Sequence, residues 1–171
     1  MIKRIIISVG SLLLATLACS SLYPPASVYE NDAFSVSLPE GWGWGTGSSV
    51  YGNAFRQLIQ ISHPYPLSIA TFTLAKSPLT GEANFESRFT LTYEGFTHIA
   101  NVSKQEFEHE GLTGYEITYT IPIGEELYAY HDIWLEKDTA IYVLSFSCLE
   151  RSQDDYTAIF DQILDDFRFK E

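Results

Sequence analysis

The residues of this chain that could perform acid-base or metal chemistry are its 4 histidines and the acidic residues near them. His131 is followed directly by Asp132, and an imidazole beside a carboxylate can serve general acid-base catalysis. Neighbouring residues on a strand point to opposite faces, so these two side chains cannot pair with each other. His63, His98 and His109 lie in three other segments, where their spacing predicts neither a catalytic nor a metal site.

Familiar catalytic motifs do not occur in the sequence, including a Gly-x-Ser-x-Gly elbow, a His-Glu-x-x-His helix, a Gly-Lys-Ser/Thr phosphate loop and a Cys-x-x-Cys pair. We therefore predict no catalytic residues, no metal and no cofactor. We expect a protein that binds rather than catalyses, and an enzyme is the alternative.

Two tryptophans provide a first candidate binding surface. Trp42 and Trp44 lie in the glycine-rich run at 41–47, where two rigid indoles could flank a ligand. The alternative, which we favour, is a turn in which Trp42 fills the core and the glycines adopt unusual backbone angles.

A second aromatic set consists of Tyr128, Tyr130 and Trp134, which alternate along one predicted strand and therefore share a face. If a helix covers these rings, they are core residues. If no helix does, they form a patch of the kind that occurs at interfaces. The sequence leaves both alternatives open.

The chain has 2 cysteines, Cys19 and Cys148, so that modification of the first excludes an intramolecular disulfide. Cys148 ends an alternating strand pattern, which predicts a buried structural thiol rather than a reactive one. Cys19 follows Ala18 at the end of an uncharged run that starts after Lys3 and Arg4. This order of basic residues, uncharged run and small residue is typical of a signal peptide.

The uncharged run at 5–18 is shorter than the roughly 18 apolar residues that a membrane-spanning helix needs. Residues 15–19 resemble the lipobox of bacterial lipoproteins, although Thr16 stands where leucine is commonest. The resemblance implies that Cys19 is acylated and holds the mature protein on a bacterial membrane, in the extracytoplasmic part of the cell envelope. The alternative is an ordinary secretory peptide in which Cys19 has no role.

We divide the chain into a lipoprotein signal peptide at 1–18, a lipid-anchored spacer at 19–31 and one folded domain at 32–171. Removal of the signal peptide leaves 8 basic residues against 22 acidic ones, a net charge of −14. Such a domain repels phosphate backbones, so we predict no nucleic-acid partner. The predicted partners are membrane lipid, through acylated Cys19, and an unidentified envelope protein.

The apolar patterns predict which elements position these residues. Alternation predicts strands at 34–38, 57–62, 67–74, 115–121, 127–135 and 141–148. Helical spacing predicts one helix at 84–99 and a second that starts after an N-cap at Ser152 and ends near Phe167. We therefore predict an α+β domain with a central antiparallel sheet covered by helices.

Three segments carry a resemblance to the Mog1/PsbP-like family, which includes DcrB-type bacterial lipoproteins: the strand at 34–38 with Pro39-Glu40-Gly41-Trp42, the turn and strand at 111–119, and the helix at 160–167. The resemblance covers roughly residues 33–169 and implies an α/β/α sandwich. Members of this fold act as binding or assembly factors and share no catalytic residues, which implies a binding or assembly module for an envelope partner. The alternative is a small-ligand carrier or enzyme with a pocket near Trp42 and Trp44.

Overall fold

The computed structural model describes residues 24–45, 54–64, 69–81, 84–98 and 100–170. The predicted signal peptide, Cys19 and the end of the glycine-rich run lie outside these residues. Within the described ranges, no helix is long and apolar enough to cross a membrane.

The described chain consists mainly of strands, with one α-helix in its middle and one near its end. The strands are β1 (Ser27–Glu30), β2 (Phe34–Leu38), β3 (Gly43–Gly45), β4 (Arg56–His63), β5 (Ala70–Pro78), β6 (Val102–His109), β7 (Leu112–Ile123), β8 (Glu126–Lys137), β9 (Ala140–Leu149) and β10 (Arg168–Phe169). Helix α1 (Phe85–Thr97) connects β5 to β6, and α2 (Gln153–Asp166) connects β9 to β10.

The strands form two antiparallel sheets. The large sheet has the order β3-β4-β5-β9-β8-β7-β6, and the small sheet has the order β1-β2-β10. Strands β6 to β9 form a meander in which each strand pairs with the next, as short turns between consecutive strands require.

Each face of the large sheet has its own hydrophobic core. On one face, Phe85 and Phe89 of α1 pack against Trp134 and neighbouring apolar residues of the sheet. On the other face, Phe160 of α2 and Phe34 of the small sheet complete a second core. The sheet is thus covered on both sides, and the predicted α+β class with a central antiparallel sheet is confirmed.

The helices start where the sequence supplies suitable first turns. Asn84 caps α1 by accepting a hydrogen bond from the backbone N–H of Ser87 at 2.9 Å. The acidic residues Asp154 and Asp155 occupy the first turn of α2, where their negative charges interact favourably with the positive end of the helix dipole. Ser152 occupies the predicted N-cap position of α2, but its side chain makes no capping hydrogen bond there.

The sequence does not predict β1, β3, β6 and β10. Strand β1 lies within the segment predicted as a spacer, and it pairs with β2 over all four of its residues. The backbone N–H of Gly41 donates to the carbonyl of Pro24 at 2.9 Å, so the folded part begins before residue 32. Strand β6 forms the outer edge of the large sheet with mostly exposed side chains, so it has little of the apolar alternation on which the prediction relied.

Candidate functional site

The two tryptophans of the predicted binding loop lie in different environments. Trp42 is 1% exposed, and its ring stacks on His63 with centroids 5.5 Å apart. Trp44 is 50% exposed, and its ring meets Tyr29 edge-on at 5.0 Å. The structure therefore does not bring Trp42 and Trp44 together as walls of one pocket, and Trp42 fills the core as the favoured alternative states.

The second aromatic set extends across the boundary between core and surface. Tyr128, Tyr130 and Trp134 share the face of β8 that lies toward α1. Trp134 is fully buried, with its ring 5.6 Å from Phe89 of the helix. Tyr128 and Tyr130 remain partly exposed, so of these three residues only Trp134 belongs to the core under the helix.

A buried carboxylate that the sequence did not single out as a site lies beside these tyrosines. Asp132 is 0% exposed and accepts hydrogen bonds from the hydroxyls of Tyr119, at 2.8 Å, and Ser145. Tyr119 also stacks on Tyr130, with planes 4° apart. Burial, and then the charge of Asp132, raise the pKa of the Tyr130 hydroxyl.

The Asp132 cluster follows from the alternation of β8. Asp132 has the same parity as Tyr130 and Trp134, so its carboxylate must enter the α1 side of the sheet. A buried charge is costly unless hydrogen bonds satisfy it, and the hydroxyls of Tyr119 and Ser145 supply such bonds from the two flanking strands. A charged residue in an otherwise apolar register is the sequence signal that could have revealed the cluster.

His131 points to the opposite side of the sheet from Asp132, as predicted. Its Nε2 lies 2.6 Å from a carboxylate oxygen of Glu116 on β7. The imidazole ring is 5.7 Å from the Phe146 ring, which belongs to the core under α2. Two adjacent residues of one strand thus bind two different partners on two different faces.

A cavity of about 260 Å³ lies beside the His131 and Glu116 pair, between β8, β9 and α2. Its walls include Phe146, Phe160 and Cys148. Cys148 is 1% exposed, and burial raises the pKa of its thiol, which confirms the prediction of a buried structural cysteine. This cavity, rather than the region of Trp42 and Trp44, places a histidine, a carboxylate and an aromatic wall together.

Two of the other histidines, His63 and His109, have separate partners, and His98 is exposed just after α1. The Nδ1 atom of His63 lies 2.9 Å from the hydroxyl of Tyr156, and burial lowers the pKa of this imidazole. His109 donates from Nε2 to the carbonyl of Phe167 at 3.2 Å. Among the residues that the structure describes, no group of three or more histidines, cysteines and acids is arranged to hold a metal ion.

An open groove of about 780 Å³ lies between the start of α1 and the β6–β7 turn. Tyr115 lies in it and donates to Glu86 at 3.0 Å. Lys104, on the neighbouring strand, lies 4.3 Å from the centre of the Tyr115 ring. The groove is otherwise strongly acidic, because its lining also includes Glu106, Glu108 and Glu136.

Comparison with known proteins identifies solved structures of similar fold. No family model matches the chain, and no curated protein matches its sequence significantly. The cyanobacterial PsbP protein CyanoP from Synechocystis sp. PCC 6803 superposes with a TM-score of 0.58 at 13% identity, over 85% of this chain and 92% of that one. LpqN of Mycobacterium tuberculosis, described as involved in cell envelope biogenesis, superposes with a TM-score of 0.53 at 11% identity, over 86% and 91%.

A protein of unknown function from Pseudomonas aeruginosa, PA94, is similar at a TM-score of 0.50 and 11% identity, over 81% of this chain and 93% of that one. Identities this low establish the fold and not the activity. The resemblance that the sequence carries is confirmed at that level, and the chain has the PsbP/Mog1-like fold.

Proposed function

We propose that this chain is a bacterial lipoprotein that acts on the extracytoplasmic side of a membrane as a binding or assembly module for another component of the cell envelope. The observation that carries the proposal is the N-terminal pattern that ends in Ala18 and Cys19. The folded part begins by Pro24, whose carbonyl accepts from Gly41. Five extended residues span at most about 18 Å, so acylation of Cys19 would hold the domain close to the bilayer.

The fold neighbours add support to an envelope role. LpqN has the same fold and is described as involved in cell envelope biogenesis. The acidic surface adds a second argument, because a net charge of −14 disfavours nucleic acids and leaves proteins and uncharged surfaces as partners.

The partner contact is best placed at the tip of the β7–β8 hairpin. Ile123 is 50% exposed and Leu127 is 46% exposed at this tip. Ile123 pairs with Glu126 and Leu127 with Pro122, so the two apolar side chains point to opposite faces of the hairpin. A partner that closes around the tip would bury one apolar side chain on each face, and buried apolar side chains are typical of the centre of a protein interface. Glu126 at the same tip forms an ion pair with Arg151, so part of the surrounding charge is already neutralised.

Replacing Cys19 with serine is expected to release the protein from the membrane without unfolding it. The full chain and the Cys19→Ser variant are expressed in bacteria with an alkyne fatty acid, and the label and the membrane fraction are measured. We expect labelled, membrane-bound wild type and unlabelled, soluble variant, with the same melting temperature. An unlabelled wild-type chain that leaves the membrane would refute the anchoring.

Replacing both Ile123 and Leu127 with serine is expected to reduce partner capture by crosslinking in intact cells. The loss follows from removing the apolar side chain that the partner would bury on each face of the tip. Leu91→Ser is the matched control, because Leu91 is 71% exposed on α1 and its replacement removes a similar side chain elsewhere. Equal loss in both variants, or no loss in the hairpin variant, would contradict this surface.

A further inference from the structure

One edge of the molecule exposes aromatic and aliphatic side chains beside the N-terminal end of the domain. Trp44 on β3 is 50% exposed, and Val28 on β1 is 64% exposed. The Tyr29 ring lies between the core and Trp44, at 5.0 Å from the indole. We call Tyr29 and Trp44, together with Val28 on the opposite face of β1, the β1 edge, because β1 is an outer strand of the small sheet and β3 is an outer strand of the large one.

The β1 edge lies close to Pro24, the first residue that the structure describes. Pro24 lies three residues before β1. Its carbonyl accepts a hydrogen bond from Gly41, which lies two residues before β3. At most about 3.6 Å per residue, the segment from Cys19 to Pro24 keeps the domain within roughly 18 Å of an acylated cysteine. A bilayer that holds Cys19 would therefore be within reach of this edge.

The chemistry of the β1 edge fits the headgroup region of a bilayer. Tryptophan and tyrosine concentrate there because their rings are apolar and their N–H and O–H groups still reach water. Glu30, the charged residue of β1, is bound by Lys170 at 2.6 Å, and this contact lowers the pKa of its carboxyl. The acidic domain as a whole is repelled by anionic lipids, so uncharged phospholipid is the better fit.

We propose that the β1 edge rests on the membrane that anchors Cys19, with Trp44 inserted at the boundary between headgroups and acyl chains. This inference depends on the proposed lipid anchor. The exposed apolar area is small, so the untethered domain binds lipid weakly. The tether raises the effective concentration of lipid at the edge to the millimolar range or above, which makes a weak contact persistent.

The chain has 3 tryptophans, which makes the proposal directly measurable by fluorescence. Trp42 is 1% exposed and Trp134 is 0% exposed, so Trp44 is the one that external quenchers can reach. The lipidated full chain is reconstituted into phosphatidylcholine vesicles with and without brominated acyl chains. We expect strong quenching of the wild type by the brominated lipid and loss of most of that quenching in Trp44→Phe, which keeps an aromatic ring on β3.

The Cys19→Ser protein, added to the same vesicles, is expected to show little quenching and to keep its Trp44 accessible to acrylamide. The fatty-acid label on Cys19 is measured in parallel, so that the two proposals fail separately. A labelled wild type that shows no more quenching than Trp44→Phe would overturn the membrane contact alone. Protection of Trp44 in cells but not in vesicles would also overturn it, because a protein or a second copy would then cover the edge.

Discussion

Replacing Trp134 with alanine is expected to lower the free energy of unfolding by about 3–5 kcal/mol. The Trp134 ring is fully buried and meets the rings of Phe55 and Phe89 edge-to-face, at 5.4 and 5.6 Å. Alanine would leave a large cavity under α1, because backbone pairing on both sides of β8 prevents the sheet from closing around it. Urea denaturation with a fitted midpoint and slope measures the loss.

Trp44→Ala is the matched control for this prediction. Its indole is 50% exposed, so we expect a change within about 0.5 kcal/mol, as for most surface substitutions. Together the two variants separate the two roles that the sequence left open for the aromatic residues. Similar losses in both variants would contradict the assignment of Trp134 to the core and Trp44 to the surface.

Replacing Gly114 with alanine is expected to destabilise the domain by about 3 kcal/mol, near the upper end of the usual overpacking cost. Gly114 on β7 pairs with Leu135 on β8, and a Cβ atom at this position would overlap the carbonyl oxygen of Trp134. The obstacle is backbone, so the overlap can be relieved only if β7 and β8 move apart at this position. Circular dichroism melting in wild type and variant measures the effect.

Gly95→Ala is the same chemical change, and we expect it to stabilise the domain rather than destabilise it. Gly95 lies within α1, and among the described residues no atom beyond its chain neighbours and the adjacent helix backbone would come within 4 Å of a Cβ atom there. Alanine favours helix over glycine, so this variant should gain up to about 1 kcal/mol. A Gly114→Ala protein as stable as wild type would show that β7 and β8 can move apart at this point.

Alternation and helical spacing predicted the inner parts of the molecule because burial imposes those patterns. The strand at 34–38 and both helices have apolar faces that pack into one of the two cores. Strand β6 carries Lys104, Gln105, Glu106 and Glu108, and its edge position requires apolar contact on few of its residues. Edge strands are therefore the elements that a pattern of burial detects least well.

For the polar sites too, the sequence pattern predicts some features and only the fold decides the others. The opposite orientations of His131 and Asp132 followed from the strand period, and the structure confirms them. Their partners did not follow, because Glu116, Tyr119 and Ser145 come from other strands, whose register depends on the whole sheet. The separation of Trp42 from Trp44 likewise depends on the fold, because Trp42 lies in the turn before β3 and Trp44 lies on that strand.

The exposed edge of β6 has a consequence for crowding on a surface. An outer strand can pair with the outer strand of another copy, and tethering to a membrane raises the frequency of such encounters. Three of the eight residues of β6 carry a lysine or glutamate side chain, at 104, 106 and 108. On adjacent copies these charged side chains would disfavour the extension of one sheet into the next, a protection against aggregation that the proposed membrane anchor would make more important.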